Sequence, residues 1–190
     1  MISDLNQRED ELSGKTLLII GLGGIGGRLA QLAKAFDMHI IGIRQDPSKG
    51  GWQAADSVRK PSELKASLPL ADYVALTCPL TRETEKVINA DALSCMKKSA
   101  YLINAARGRC VDEDALIKAL RDQKIAGAAI DVSVDEPLPA ASPLWNFPNV
   151  LITPHTAGET RRYEENVIDI LVENLDRLWR GEKTLRNQIV

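Results

Sequence analysis

Short apolar runs recur along the chain at Leu17–Ile20, Ile40–Ile43, Tyr73–Leu76, Tyr101–Ile103, Ala126–Ile130 and Val150–Ile152, each apolar at nearly every position. Runs of this length without polar alternation predict strands covered on both faces of a sheet. Between them the apolar positions change to helical spacing over residues 25–36, 62–68, 89–96 and 112–122, with Asp112 placed to cap the last of these helices. Strand alternating with helix predicts an α/β fold, here a doubly wound parallel sheet of six strands. Past the last strand, Tyr163, Val167, Ile170, Leu171, Leu175, Leu178 and Trp179 keep the i, i+3, i+4 spacing of one helical face. A long terminal helix from about Thr160 to Arg180 is expected, stopped by Gly181. The division that follows is a sheet domain over 1–160 and a helix and tail over 161–190.

A length of 190 residues suits one domain with such an appendage. The net charge of -2 offers no basic footprint for nucleic acid, and no run approaches the roughly 20 apolar residues of a membrane span. The N-terminal stretch from Met1 to Asp10 is polar and acidic, unlike a signal peptide. Cys78, Cys95 and Cys110 are odd in number and show neither a CxxC nor a His-flanked ligand spacing. They read as buried free thiols in a reducing compartment, with no metal site, and the cytoplasm is the expected location.

Candidate chemistry sits where strands end, because ligands of an open parallel sheet bind beyond its carboxyl edge. Gly21-Leu22-Gly23-Gly24-Ile25-Gly26 joins the first strand to the first helix, the context of a dinucleotide-binding turn. There Gly21 permits the turn, Gly23 lets a pyrophosphate approach the backbone, Gly26 lets the helix pack on the strand, and the helix N-terminus faces the phosphates. Asn104-Ala105-Ala106-Arg107-Gly108 follows the fourth strand, Asp131 ends the fifth with Glu136 shortly after, and Thr153-Pro154-His155 follows the sixth. Carbonyl reduction needs a proton donor near neutral pH, for which His155 is suited, and a cation for an anionic substrate, for which Arg107 is suited. A carboxylate paired with the imidazole would hold its charged form, and Glu136 is the candidate, although in the acidic run before Pro137 a solvated loop is the default reading and makes it the weakest of the three on physics alone. His39 opens the second strand and reads as structural.

These motifs, with Cys78-Pro79-Leu80-Thr81 and Thr84, and Met96 through Asp112, occur in the order found in the D-isomer-specific 2-hydroxyacid dehydrogenases, which the chain resembles over nearly its whole length. The resemblance implies a Rossmann-like domain and an NAD(P)-dependent oxidoreductase acting on a 2-oxo or 2-hydroxy acid. It places the family's catalytic residues on Arg107, Glu136 and His155. Cofactor contacts fall on Gly21, Gly23, Gly24, Ile25, Gly26, Arg44, Cys78, Pro79, Thr84, Ala105, Ala106, Asp131, His155 and Gly158, with Asp131 holding the nicotinamide carboxamide. It also suggests a homodimer.

Two departures stand out. The acidic residue that reads the ribose hydroxyls in NAD enzymes is replaced by Arg44. Arg44 can grip a 2′-phosphate, which favours NADP narrowly; alternatively it snorkels at the strand end or stacks on adenine in an NAD enzyme, with Asp46 moving in on the ribose. The family's substrate domain, which forms the other wall of the cleft, is largely absent from this chain, so the expectation is cofactor binding with poor turnover. A non-catalytic, NAD(P)-responsive binding module is the second reading.

Overall fold

The computed structural model describes residues 10–48 and 53–188; the N-terminal stretch before Asp10 lies outside them. Seven strands form one parallel sheet: β1 (Thr16–Ile20), β2 (His39–Ile43), β3 (Ser57–Arg59), β4 (Tyr73–Leu76), β5 (Tyr101–Asn104), β6 (Gly127–Ile130) and β7 (Val150–Ile152). Their order is β3-β2-β1-β4-β5-β6-β7, so the chain starts near the middle, winds outward to β3 and returns to wind the other way from β4. The expected count of six is corrected by β3, an edge strand that pairs only with β2.

Four helices accompany the sheet: α1 (Gly24–Lys34), α2 (Leu64–Ser67), α3 (Ala90–Cys95) and α4 (Glu113–Arg121). Asp112 caps α4 through its side chain, which accepts from the Ala115 amide, and Asn89 caps α3 in the same way. Alternate strand residues feed two cores. Leu18, Ile20, Ile41, Val74, Leu76, Leu102 and Ile130 pack with Leu64 of α2, Leu93 of α3 and Leu116 and Leu120 of α4. Leu17, Ile19, Ile40 and Ala75 pack with Ala30 and Ala33 of α1 on the opposite face.

Within residues 10–155 that second face is only partly covered by helices. Tyr101 is 42% and Leu151 64% exposed, and with Ile103 and Ala129 they line a groove of about 410 Å³. Because α3 and α4 both pack into the first core, β5 to β7 have no helix of this unit on the second face. Tyr73 and Tyr101 stack there at 6.0 Å between ring centroids.

The chain divides into two compact units, Met1–His155 and Thr156–Val190. The second is built on α5 (Tyr163–Trp179), whose expected stop is present: Gly181 takes a positive φ of 75° and its amide donates to the Leu178 carbonyl. The tail returns along this helix, with the Arg186 amide donating to Asn174 Oδ1 at 2.7 Å and its guanidinium meeting Glu173 at 2.8 Å. Among the described residues no helix is long and apolar enough to cross a membrane, and no cluster of His, Cys, Asp or Glu is arranged to hold a metal ion.

Candidate functional site

Strand register aligns the carboxyl edge. Ile20 pairs with Leu76, Leu76 with Asn104, Asn104 with Ile130, and Ile130 with Ile152. Gly21, Thr77, Ala105, Asp131 and Thr153 are therefore the first residues beyond five neighbouring strands, a row spanning roughly 19 Å at about 4.8 Å per strand. Arg44 extends it past β2.

At the β1 end, Gly21 has φ 101°, and a Cβ there would lie 2.5 Å from the Cys78 Cα, so only glycine lets β1 and β4 approach as closely. Thr77 Oγ1 donates to the Gly21 carbonyl at 2.8 Å and braces the turn. A Cβ on Gly26 would meet that same carbonyl at 2.4 Å. Gly23 is the N-cap of α1, where no side chain caps the helix and no acid stands in the first turn. A Cβ on Gly23 or Gly24 would meet nothing within 4 Å, so these two glycines are not required by the protein's own packing. Space open above an uncapped helix N-terminus suits an anionic phosphate, which the helix dipole and free amides would hold. Ile25 is exposed beside it.

A cleft of about 480 Å³ extends from this turn between β2 and β4, lined by Gly21, Gly23, Arg44, Cys78, Pro79 and Thr84 among others. Thr84 closes the segment after β4, donating to the Pro79 carbonyl at 2.6 Å and accepting from the Thr81 amide at 2.7 Å. Arg44 is half-buried in the cleft, its amide bonded to the Arg59 carbonyl. The Asp46 carboxylate accepts from the Ser48 amide and hydroxyl.

At the β5 end, Asn104 is only 2% exposed. Its Oδ1 accepts from the Ala106 amide and its Nδ2 donates to the Arg107 carbonyl, each at 3.1 Å, closing a loop that presents Ala105 and Arg107 and buries Ala106. Gly108 abuts the loop after β6 so tightly that a Cβ would fall 1.9 Å from the Ser133 carbonyl oxygen. Arg107 thereby stands beside the segment carrying Glu136, and its Nη1 donates to the Ala106 carbonyl.

The imidazole Nδ1 of His155 lies 2.8 Å from Glu136 Oε2, while Glu136 Oε1 accepts from the Ser133 amide. His155, Ser133 and the Arg107 charge together hold the Glu136 carboxyl below its ordinary range against a partial desolvation, the His155 hydrogen bond being the largest influence. His155 itself takes φ 57°, a left-handed conformation, directly after Thr153 and Pro154. Binding through Nδ1 leaves Nε2 on the far side of the half-exposed ring. Asp131 Oδ1 accepts from Thr153 Oγ1 at 2.6 Å. Asp131, Glu136 and His155 share a cavity of about 500 Å³ with Leu138 and Trp145. Gly158 belongs to the second unit.

The structure thus brings Arg107, Asp131, Glu136 and His155 to one end of the row and the glycine turn and Arg44 to the other. Sequence reading gave no part to Thr77, to the side chain of Asn104, or to Trp145. A polar residue at or just past a strand end, where backbone groups leave the sheet ladder, is the signal that points to the first two.

A family model described as D-isomer specific 2-hydroxyacid dehydrogenase, NAD binding domain, matches residues 2–157. The chain belongs to this family. The glyoxylate reductase of Thermofilum pendens is 40% identical over 174 residues, which cover 90% of this chain and 50% of that protein. A D-isomer specific 2-hydroxyacid dehydrogenase from Xanthobacter autotrophicus, solved in complex with NADPH and MES, superposes with a TM-score of 0.83 at 35% identity, covering 93% of this chain and 71% of that one. The corresponding enzyme of Lactobacillus delbrueckii in its NAD-complexed form gives 0.80 at 33% identity, with 94% and 57% covered. The family and the Rossmann-like fold are as the motifs implied, and the matched domain is the NAD-binding one. The chain spans about half the length of the curated relatives it matches.

Proposed function

We propose that this chain is the cofactor-binding part of an oxidoreductase that interconverts a 2-oxo acid and a D-2-hydroxy acid, with Arg107, Glu136 and His155 as its catalytic residues. The observation that carries the reading is the 2.8 Å pair of His155 and Glu136 on the same sheet edge as the open glycine turn. The bound nicotinamide supplies the hydride. Gly24 and Ile25 would hold the pyrophosphate through their amides, with Gly23, whose own amide is bonded to the Gly21 carbonyl, leaving room for it, and Asp131, oriented by Thr153, would accept from the carboxamide. Ala105, Ala106, Pro79 and Thr84 would form the walls between, and Cys78 would contribute backbone, since its thiol is buried.

Arg107 would hold the substrate carboxylate. One of the five guanidinium N–H groups is engaged by Ala106, leaving a fork for an anion. His155 would give its proton from Nε2 to the substrate oxygen, while Glu136 on Nδ1 fixes the orientation of the ring. Arg44 inside the cleft supports NADP over NAD as the preferred cofactor. A homodimer located in the cytoplasm completes the proposal, the first part testable by light scattering.

Titration with NADH and NADPH, followed by reduced-nicotinamide fluorescence, tests the cofactor half. Assays with glyoxylate, hydroxypyruvate and pyruvate test the rest: where turnover is measured, His155→Ala should lower it by about 100- to 10,000-fold, the usual worth of general acid catalysis. Turnover that survives His155→Ala would refute the assignment.

A further inference from the structure

The cavity that holds Asp131, Glu136 and His155 has an apolar wall that the proposed chemistry does not use. At about 500 Å³ it falls within the range of small-molecule pockets. Beside the three polar residues, Val132, Leu138, Trp145 and Ile152 line it, and neither lysine nor arginine does.

That wall is fixed by bonds and packing. Val132 is buried, and Leu138 is half-buried against the first core. Trp145 lies in a single turn (Pro143–Asn146) that Ser142 caps, its hydroxyl accepting from the Leu144 amide at 3.3 Å, and Leu144, 1% exposed, anchors the turn. The Trp145 indole N–H donates to the Pro139 carbonyl at 3.0 Å, which ties the ring down. Trp145 nevertheless stays 52% exposed. A large ring held in place at a cavity wall, yet half open to solvent, gains by being covered with an apolar group.

We propose that this cavity receives the side chain of the oxo acid, and that this side chain is a bulky hydrocarbon group. The assignment to a substrate rests on the catalytic reading above; the affinity of the cavity for an apolar group does not. The reacting carbon carries three substituents. Arg107 takes the carboxylate and His155 the oxygen, so the third needs room of its own, and Arg107 stands outside the lining of the cavity. With Asp131 given to the nicotinamide carboxamide, Leu138 and Trp145 remain for the side chain. A side chain ending in a second carboxylate is disfavoured by charge, since it would meet Asp131 and Glu136 with no lysine or arginine in the lining to offset them. Glyoxylate, whose third substituent is hydrogen, leaves the apolar wall uncovered.

Two measurements on the whole chain test this. The first needs no cofactor. The indole N–H signal of Trp145, recognised in the NMR spectrum of nitrogen-labelled protein by its loss in Trp145→Phe, should shift saturably with 4-methyl-2-pentanone, a ketone with an isobutyl group and no carboxylate. Acetone at the same concentration should not move it. The second is calorimetry with NAD present. Each methylene buried is worth about fourfold in affinity, so 4-methyl-2-oxopentanoate and phenylpyruvate should bind at least about tenfold tighter than pyruvate, and 2-oxoglutarate no tighter than pyruvate. Trp145→Ala and Leu138→Ser, each checked by melting, should cut that preference at least about threefold and leave pyruvate affinity unchanged. A Trp145 signal that ignores the ketone, equal affinity for pyruvate and the branched acid, or a preference for 2-oxoglutarate would overturn the role of the cavity. A shift with the ketone but no binding of any oxo acid would refute the catalytic reading and the substrate assignment together, while showing that the cavity takes apolar groups.

Discussion

Gly23 and Gly26 stand three residues apart in one motif, yet their surroundings assign them different physical duties, and placing the same side chain at each separates the two. A valine at Gly26 puts Cβ 2.4 Å from the Gly21 carbonyl oxygen and 2.7 Å from Thr77 Oγ1, with Ile19 at 3.0 Å. One of these atoms belongs to the turn that the helix packs on and another is the hydroxyl that braces it, so the helix must move. Overpacking of this kind costs about 1–3 kcal/mol, and the two further methyl groups favour the upper end. At about 2–4 °C per kcal/mol for a protein of this size, Gly26→Val should melt some 6–12 °C below wild type without ligand. The Cβ of a valine at Gly23 meets nothing within 4 Å, so its cost is confined to a poorer N-cap, at most about 1 kcal/mol. What it should abolish is the response to ligand. At 100 times its dissociation constant a ligand stabilises by about 2.7 kcal/mol, or roughly 5–11 °C here. Circular-dichroism melts with and without NADH are the assay. Wild type should shift upward and Gly23→Val should not. A Gly23→Val protein with the wild-type shift, or a Gly26→Val protein with the wild-type midpoint, would show that the two glycines do not divide the work in this way.

Arg44→Asp should move the NADPH-to-NADH affinity ratio toward NADH by at least about tenfold, since a charge-assisted hydrogen bond is worth about 1.5–3 kcal/mol; fluorescence titration with both cofactors measures it, and an unchanged ratio refutes the role. Asn104→Ala leaves the buried Ala106 amide without its partner and removes one of two hydrogen bonds to the Arg107 carbonyl, which keeps that from the Cys110 amide, so a loss of about 1–3 kcal/mol should appear in a denaturant midpoint, and a neutral result would show that the loop holds itself. Because the Glu136 carboxyl is held below its ordinary range, the stability it contributes is present above the unfolded carboxylate pKa and is lost as pH falls through the lowered value. Melting midpoints of wild type and Glu136→Gln should therefore differ at neutral pH, by the small amount typical of an exposed pair, and converge in acid; a gap that widens in acid would reverse the argument.

The central strands were legible because both of their faces are apolar, and β1, β2 and β4 fell within a residue of their apolar runs. Ser57-Val58-Arg59 escaped because an edge strand needs only one partner and buries little, so a single apolar residue suffices. The open second face shows a different limit. Apolar residues such as Tyr101 and Leu151 state that a surface favours cover without stating what covers it. Cys95 was expected to be buried with the other two thiols, but its place at the last turn of α3 leaves it half-buried. In the site, His155 and Arg107 could be nominated from chemistry and position alone. Glu136 could not, because its link to His155 crosses 19 residues and depends on how the loop after β6 folds back; only the family resemblance raised it. The bonds of Thr77 and Asn104 to loop backbone were illegible for the same reason, since a polar side chain's partner is a matter of geometry that composition does not encode.

Those braces bear on what the chain can do before any ligand arrives. Thr77 on Gly21, Asn104 on Ala106 and Arg107, and Thr153 on Asp131 each satisfy or aim a polar group at the mouth of a different strand, and all lie in the same aligned row. A binding edge whose loops are already hydrogen-bonded has less entropy to lose on binding, so its interaction energy goes further toward affinity. The Arg107 guanidinium differs from the others. It is exposed at the rim with one N–H group bonded to its neighbour's carbonyl, so an arriving carboxylate must either displace that bond or approach the remaining donors as the side chain stands. The second course costs less and fixes the direction of approach, because the loop carrying Arg107 is pinned by Gly108 against Ser133 and cannot swing away from Glu136. Under the proposed reading an oxo acid would be held by Arg107 before its carbonyl reached His155, and the geometry of the β5 loop, more than the arginine's reach, would set where that carbonyl came to rest.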